Sequence, residues 1–299
     1  MNQGYNADIN WDEFTFRCSA LGYIMVDPKE GSNADRYVKA VNDLVQANAD
    51  LAACSEKAVK TKDKLKIKIA GLNIKIAKLE KIKDIPNLSE TCKSYLSDVY
   101  TAVVYGRKTE DIRSKYLEKG LLLEEDAITN YCLLTGEFHK KNKERKRNNW
   151  IEGENDFYTE EWINDIKVNW SVFQFNRIAS KPMKKGYKWQ LQGYMWLWEV
   201  PRARLIYSLV DTPEHLIKIE EKKLLYDFVG SEQDYKDACE ELRHNHIYTD
   251  IPLDKKVRTL EMATSEDDVI KIIKRVEDCR WYLKNFENHY KQEEDENDN

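Results

Sequence analysis

"WIEGENDFYTEEWINDIKVNW", Trp150 to Trp170, decides how this chain is read. Its aromatic and β-branched residues predict two strands, about 150–158 and 162–170, on either side of Glu160-Glu161. In an antiparallel pairing around that point, positions whose numbers sum to 321 face each other, so Asp156 stands opposite Asp165. Cross-strand neighbours bring their Cβ atoms within about 5 Å, and like charges placed there destabilise the pair. Period-two alternation sets Lys167 on the face of Asp165, with Glu154 opposite Lys167. "TEEW" lacks the glycine of a tight two-residue turn, so a longer loop is expected. A divalent cation between the aspartates would turn repulsion into coordination, because Mg²⁺ takes carboxylate oxygens and water. The bland alternative is an exposed hairpin face carrying incidental charge.

Working outward, residues 115–135 predict one helix that ends near Gly136 and carries Glu124, with Glu125 as the substitute if the register is off by one. "YKWQLQGYMWLWEV" predicts a helix on which Gln190 and Tyr194, four apart, share a face. "ARLIYSLV" (203–210) predicts a buried strand, and "KVRTLEMA" a further one. Ser89 and Ser265 are candidate helix caps, the latter with Asp268 in capping-box position. Helix, strands, helix, strand in this order predicts an α/β core.

Upstream, Leu65, Ile69, Leu72, Ile76 and Leu79 form a heptad seam, with a weaker one at Val41, Leu44 and Leu51. This predicts two antiparallel helices or one long one, a coiled-coil-like insertion over 34–86. It divides the chain into 1–33, the insertion 34–86, a main body 87–290 and an acidic disordered tail 291–299. The nine lysines between Lys60 and Lys83 read as a solvated face. The seam is open to three uses: packing within the monomer, a subunit contact, or recruitment of a partner.

With 299 residues and a net charge of −5, the chain has no global attraction for nucleic acid, so any DNA surface must be a local basic patch. "KKNKERKR" is the candidate: Lys140, Lys141, Lys143, Arg145, Lys146 and Arg147, with a solvated charge run as the alternative. Six scattered cysteines oppose a zinc cage or disulfide framework and predict a reducing cytoplasm. No run is long and apolar enough to span a membrane, and the opening "MNQGYNADINWDEF" lacks the basic and apolar regions expected of a secretion signal. Trp170, Phe173 and Phe175 suit base stacking less well than a core. "RHNHIY" spells HNH by accident, which predicts surface positions for His244 and His246.

Taken in order, "GLLLE", "GENDF", "DIK" and "QLQGY" resemble the PD-(D/E)XK nuclease superfamily, in its phage exonuclease branch of the lambda exonuclease, YqaJ and RecB-nuclease type. The resemblance covers about 115–210, and thinly 15–25. It implies a restriction-endonuclease-like core, a central mixed sheet flanked by helices. It assigns catalytic roles to Glu124, Asp156, Asp165, Lys167, Gln190 and Tyr194. Metal ligation falls to Asp156, Asp165, Glu124 and the carbonyl of Ile166. "FRCSALGYIM" is similar to the segment such enzymes place near a DNA end, adding Arg17 and Ser19, and Ser171 is a further backbone contact. The implied activity is Mg²⁺-dependent exonuclease action, with Mn²⁺ in substitution, in phage-type recombination or end processing. Implied partners are DNA, a single-strand annealing protein and further copies of the chain, in a host cytoplasm if phage-encoded. The superfamily proline is replaced by Asn155. Only Cys239 and Cys279 lie downstream, which predicts no iron–sulfur cluster. An endonuclease on the same core and a helical interaction protein without chemistry are the alternatives.

Overall fold

Leu205, Ile206, Tyr207 and Leu209 are all buried, as a strand covered on both faces requires. The computed structural model describes residue 6 and residues 8–55, 58–107 and 114–287, so the predicted acidic tail lies outside the described residues. In chain order the elements are β1 (Phe16–Arg17), α1 (Leu21–Ile24), α2 (Asn33–Ala53), α3 (Val59–Glu80), α4 (Glu90–Val104), α5 (Lys115–Leu122), α6 (Glu124–Thr135), β2 (Lys146–Arg147), β3 (Ile151–Gly153), β4 (Phe157–Tyr158), β5 (Trp162–Asn169), α7 (Val172–Ala179), α8 (Lys185–Trp198), β6 (Arg202–Leu209), α9 (Glu214–Asp227), α10 (Glu232–His244), α11 (Leu253–Lys256), β7 (Val257–Ala263) and α12 (Glu266–Lys284).

The chain divides into two compact units, one of Thr15–Gly22 with Thr109–Ile273, the other of the remaining segments. In the first, a four-stranded sheet runs β4-β5-β6-β7 and a three-stranded one β1-β3-β2. β5 and β6 are parallel, which requires a crossover, and α7 and α8 supply it. The outer pairs are antiparallel, so the sheet is mixed and the architecture is α/β. Ala127, Ile128 and Tyr131 of α6 pack with Phe157, Ile166, Ile206 and Val257 in one core cluster that fixes α6 against the sheet. On the β3 side, a Cβ at Gly153 would meet Tyr194 Cε1 at 2.6 Å and Cys18 Sγ at 2.9 Å, so only glycine lets α8 and the Cys18 segment close on this strand.

Two predicted elements are corrected. The strand over 150–158 is really two: β3 and β4 lie in different sheets, separated by Glu154, Asn155 and Asp156. Glu154 is therefore exposed in a connection rather than opposite Lys167. The 321 register itself is present, with Phe157 opposite Asn164 and Tyr158 opposite Ile163. Its turn is tight rather than long: Thr159 N–H donates to the Trp162 carbonyl at 2.8 Å, and the Thr159 hydroxyl accepts from Trp162 N–H at 3.1 Å. Residues 115–135 form two helices, broken at Leu123 (φ −110°, ψ 13°), so Glu124 opens α6 instead of lying mid-helix.

In the other unit α2 and α3 are separate helices. Along α3, Leu65, Ile69, Leu72 and Ile76 are partly buried and Leu79 fully, while intervening residues are exposed. The facing seam of α2 includes Ala40 and Ala47, both buried and small enough to let the helices approach. The seam packs α3 against α2 within the chain. Ser89 caps α4, accepting from Cys92 N–H at 3.2 Å.

Candidate active site

Asp165 lies mid-strand in β5 and is almost wholly buried, at 2 % exposure. Lys167, two residues on, turns to the same face and places Nζ 2.6 Å from Asp165 Oδ2. The other oxygen, Oδ1, accepts from Gln190 Nε2 at 3.2 Å, and the same amide donates to the Tyr194 hydroxyl at 3.2 Å. The four-residue helical spacing thus presents one amide to an acid and a phenol together. Asp156, in the bend before β4, accepts a hydrogen bond from the Ile166 N–H, so its carboxylate is pinned to the strand that carries Asp165.

The electrostatics follow from that crowding. Burial, then the neighbouring Asp165 charge and also Glu124, hold the Asp156 carboxyl well above the usual carboxylate range, against the opposing pull of Lys167. Burial disfavours the Lys167 ammonium, but the charges of Asp165 and Asp156 outweigh it and hold the group above the ordinary lysine range. Burial drives the Tyr194 phenol upward, and the Asp165 charge adds to it. The site therefore holds a lysine fixed as a cation beside a pair of acids that resist sharing one small volume.

No three His, Cys, Asp or Glu side chains among the described residues converge as a ready metal cage. Glu124 Oε1 meets Lys141 Nζ at 3.2 Å, as Asp165 Oδ2 meets Lys167. The donor chemistry nevertheless suits a hard divalent ion, because oxygen ligands dominate and the acid pair is under-compensated.

No family model and no curated protein matches the chain. A solved structure of a phage related exonuclease from Haemophilus somnus 129PT aligns over 93 % of this chain and 97 % of its own, with a TM-score of 0.59 and 24 % identity. This chain has the fold of that exonuclease. An alkaline exonuclease, LHK-Exo from Laribacter hongkongensis, aligns over 70 % of this chain and 87 % of its own, with TM-score 0.47 and 12 % identity. Its complex with dAMP aligns over the same shares, with TM-score 0.46 and 12 % identity.

Within the exonuclease fold, the other sequence candidates are spread unevenly. Arg17 and Ser19 are exposed on either side of buried Cys18, which packs against Gly153 and Gly193 beneath Tyr194. Ser171 caps α7, accepting from Gln174 N–H at 3.3 Å. In the basic run, Arg145 pairs with Glu152 at 3.2 Å and Lys146 lies over the Trp198 ring at 5.4 Å, while Lys146 and Arg147 form β2. Phe175 is core and Phe173 is 62 % exposed. His244 is exposed as expected, but His246 is a correction: it is buried, its Nδ1 3.1 Å from the Thr212 hydroxyl. The polar partner lets the fold accept it there. No helix among the described residues is long and apolar enough to cross a membrane.

Two site residues escaped the sequence reading. The Lys167 ammonium sits 5.4 Å from the centroid of the Tyr187 ring. Tyr207 is opposite Lys167 in the β5–β6 register, and burial raises its phenol to about 12. Tyr187 precedes Gln190 by three, which places it on the Gln190–Tyr194 face, so that spacing was an available signal. Tyr207 had none, because strand register across a crossover is not written locally.

Proposed function

We propose that the protein is a DNA nuclease, hydrolysing phosphodiester bonds from a DNA end with Mg²⁺, or Mn²⁺ in its place. The observation that carries this reading is the Asp165–Lys167 contact at 2.6 Å beside the pinned carboxylate of Asp156. The shared exonuclease fold supports it. End processing of the phage-recombination kind is the setting that fits both.

Asp156, Asp165, Glu124 and the Ile166 carbonyl would hold the cation. When bound, such an ion lowers the pKa of a coordinated water and offsets charge building on phosphate oxygens. The chain's own residues do the rest. Lys167 remains an ammonium at neutral pH and donates to the attacking water or to a phosphate oxygen as negative charge develops. Gln190 fixes the rotamer of Asp165, and Tyr194 holds Gln190 in turn. Glu124, which Lys141 holds at 3.2 Å, would serve as one more carboxylate for that cation.

End-labelled linear and circular duplex DNA, with Mg²⁺ or EDTA, tests this for the wild type and Lys167→Ala. Loss of linear DNA alone, abolished by EDTA and in the variant, is the expected result. Nicked circles would select the endonuclease reading, and absence of cleavage under every metal would refute the enzyme. A readout independent of turnover is the melting temperature: Mg²⁺ raises it in wild type and not in Asp156→Asn/Asp165→Asn.

A further inference from the structure

The basic segment divides by what its charges already touch. Lys141 is committed to Glu124, Arg145 to Glu152, and Lys146 to the Trp198 ring. Lys140 and Lys143 are exposed and have no ion-pair partner among the described residues. Both line a cleft of about 310 Å³ whose other walls are Glu125, Ile128, Thr129, His139 and Lys141. In its wall the His139 ring stacks on buried Phe157 at 4.7 Å. With Lys141 neutralised by Glu124, two ammonium groups face the single carboxylate of Glu125, and the cleft keeps a positive balance.

Asn142 gives this cleft its address. Its backbone N–H donates to the carbonyl of Asp156 at 2.6 Å, and its side-chain amide donates to the carbonyls of Asn155 at 3.2 Å and Glu144 at 3.0 Å. Its Oδ1 accepts from Glu144 N–H at 2.8 Å. The lysines thus hang from the peptide of the candidate catalytic aspartate. Lys140 is two residues from that anchor and Lys143 one, so their backbones lie at most about 7 Å away along the chain.

We propose that this cleft holds a backbone phosphate of the bound DNA strand adjacent to the scissile one, with Lys140 and Lys143 as its cationic ligands and Asn142 as the positioning residue. The naming of DNA rests on the nuclease reading; the cleft and its anchor do not. Two unpaired ammonium groups on a tethered loop suit a phosphate diester, which asks for charge and tolerates varied geometry.

The test is binding of the full chain to a fluorescent duplex with a single-stranded tail, in EDTA, across 50–200 mM salt by anisotropy. For Lys140→Gln/Lys143→Gln we expect affinity to fall by about tenfold or more, and the log–log salt slope to shrink by about 0.8, the loss of one neutralised phosphate. Lys78→Gln/Lys81→Gln at the C-terminal end of α3 removes the same charge and should leave both quantities at wild-type values. Equal behaviour of the two double variants would overturn the proposal, as would competition by a free deoxymononucleotide that the first variant abolishes, which assigns the cleft to released product. A wild type that cleaves linear DNA with an unchanged slope in the first variant refutes the cleft alone. A reduced slope with a wild type that never cleaves refutes the nuclease alone.

Discussion

The face of β5 and α8 and the α2–α3 pair are both dense in charge, yet they use it in opposite ways. On β5, Asp165 is 2 % exposed and its partners lie at 2.6 and 3.2 Å. On α3 most lysines point to solvent, and a single apolar seam does the packing. Burial rather than charge density separates chemistry from solubility. Charges withdrawn from water shift one another's proton affinities, whereas charges left in water are screened.

The sharpest way to break that contrast is Lys167→Ala, expected to cut single-turnover cleavage about 10³-fold; a loss under tenfold would put the site on the solvated side of the comparison. Next is Lys119, buried at 1 % exposure, its Nζ donating to the Trp170 carbonyl at 3.2 Å. Burial lowers its pKa from 10.5 to about 7, opposed by the Asp211 charge. The folded state then binds fewer protons than the unfolded chain between about pH 7 and 10.5, so stability rises with pH through that window and is flat below it. The span is a few kcal/mol, and urea midpoints at pH 7, 8 and 9 should lose this slope in Lys119→Met.

Gly153→Ala sharpens the packing side of the comparison. Its Cβ would crowd Tyr194 and buried Cys18 together, and we expect about a 10- to 100-fold fall in cleavage with a stability loss of about 1–3 kcal/mol. In the helical pair the effects shrink. Leu72→Ala, at a partly buried seam position, should cost about 1–2 kcal/mol by denaturant titration and leave the cleavage rate unchanged. Ile67→Ser, 74 % exposed, should stay within about 0.5 kcal/mol. A large loss there would mean that the outer face of α3 is covered by a partner.

Much of the site was legible because its motifs are short. Asp165 and Lys167 share a face by strand period, Gln190 and Tyr194 by helix period, and the 321 register follows from the hairpin. What escaped was set by single backbone events. Leu123 breaks the predicted helix, and the bend at 154–156 sends one predicted strand into two sheets. Neither a proline nor a glycine marks the first break, and period-two reading cannot see the second. His246 looked like surface because its partner Thr212 is 34 residues away.

The sequence by itself determined which side chains travel together: the acid with its lysine, the amide with its phenol, and the apolar seam of α3. These depend on periods of two, three and four residues, which steric geometry imposes on any chain. Only the tertiary structure decided which groups from distant segments meet. It pinned Asp156 to the Ile166 amide, tied Asn142 to the Asp156 carbonyl, set Tyr207 across from Lys167, and buried Lys119. Those pairings are chosen by the packing of the whole core, whose free energy no local stretch contains.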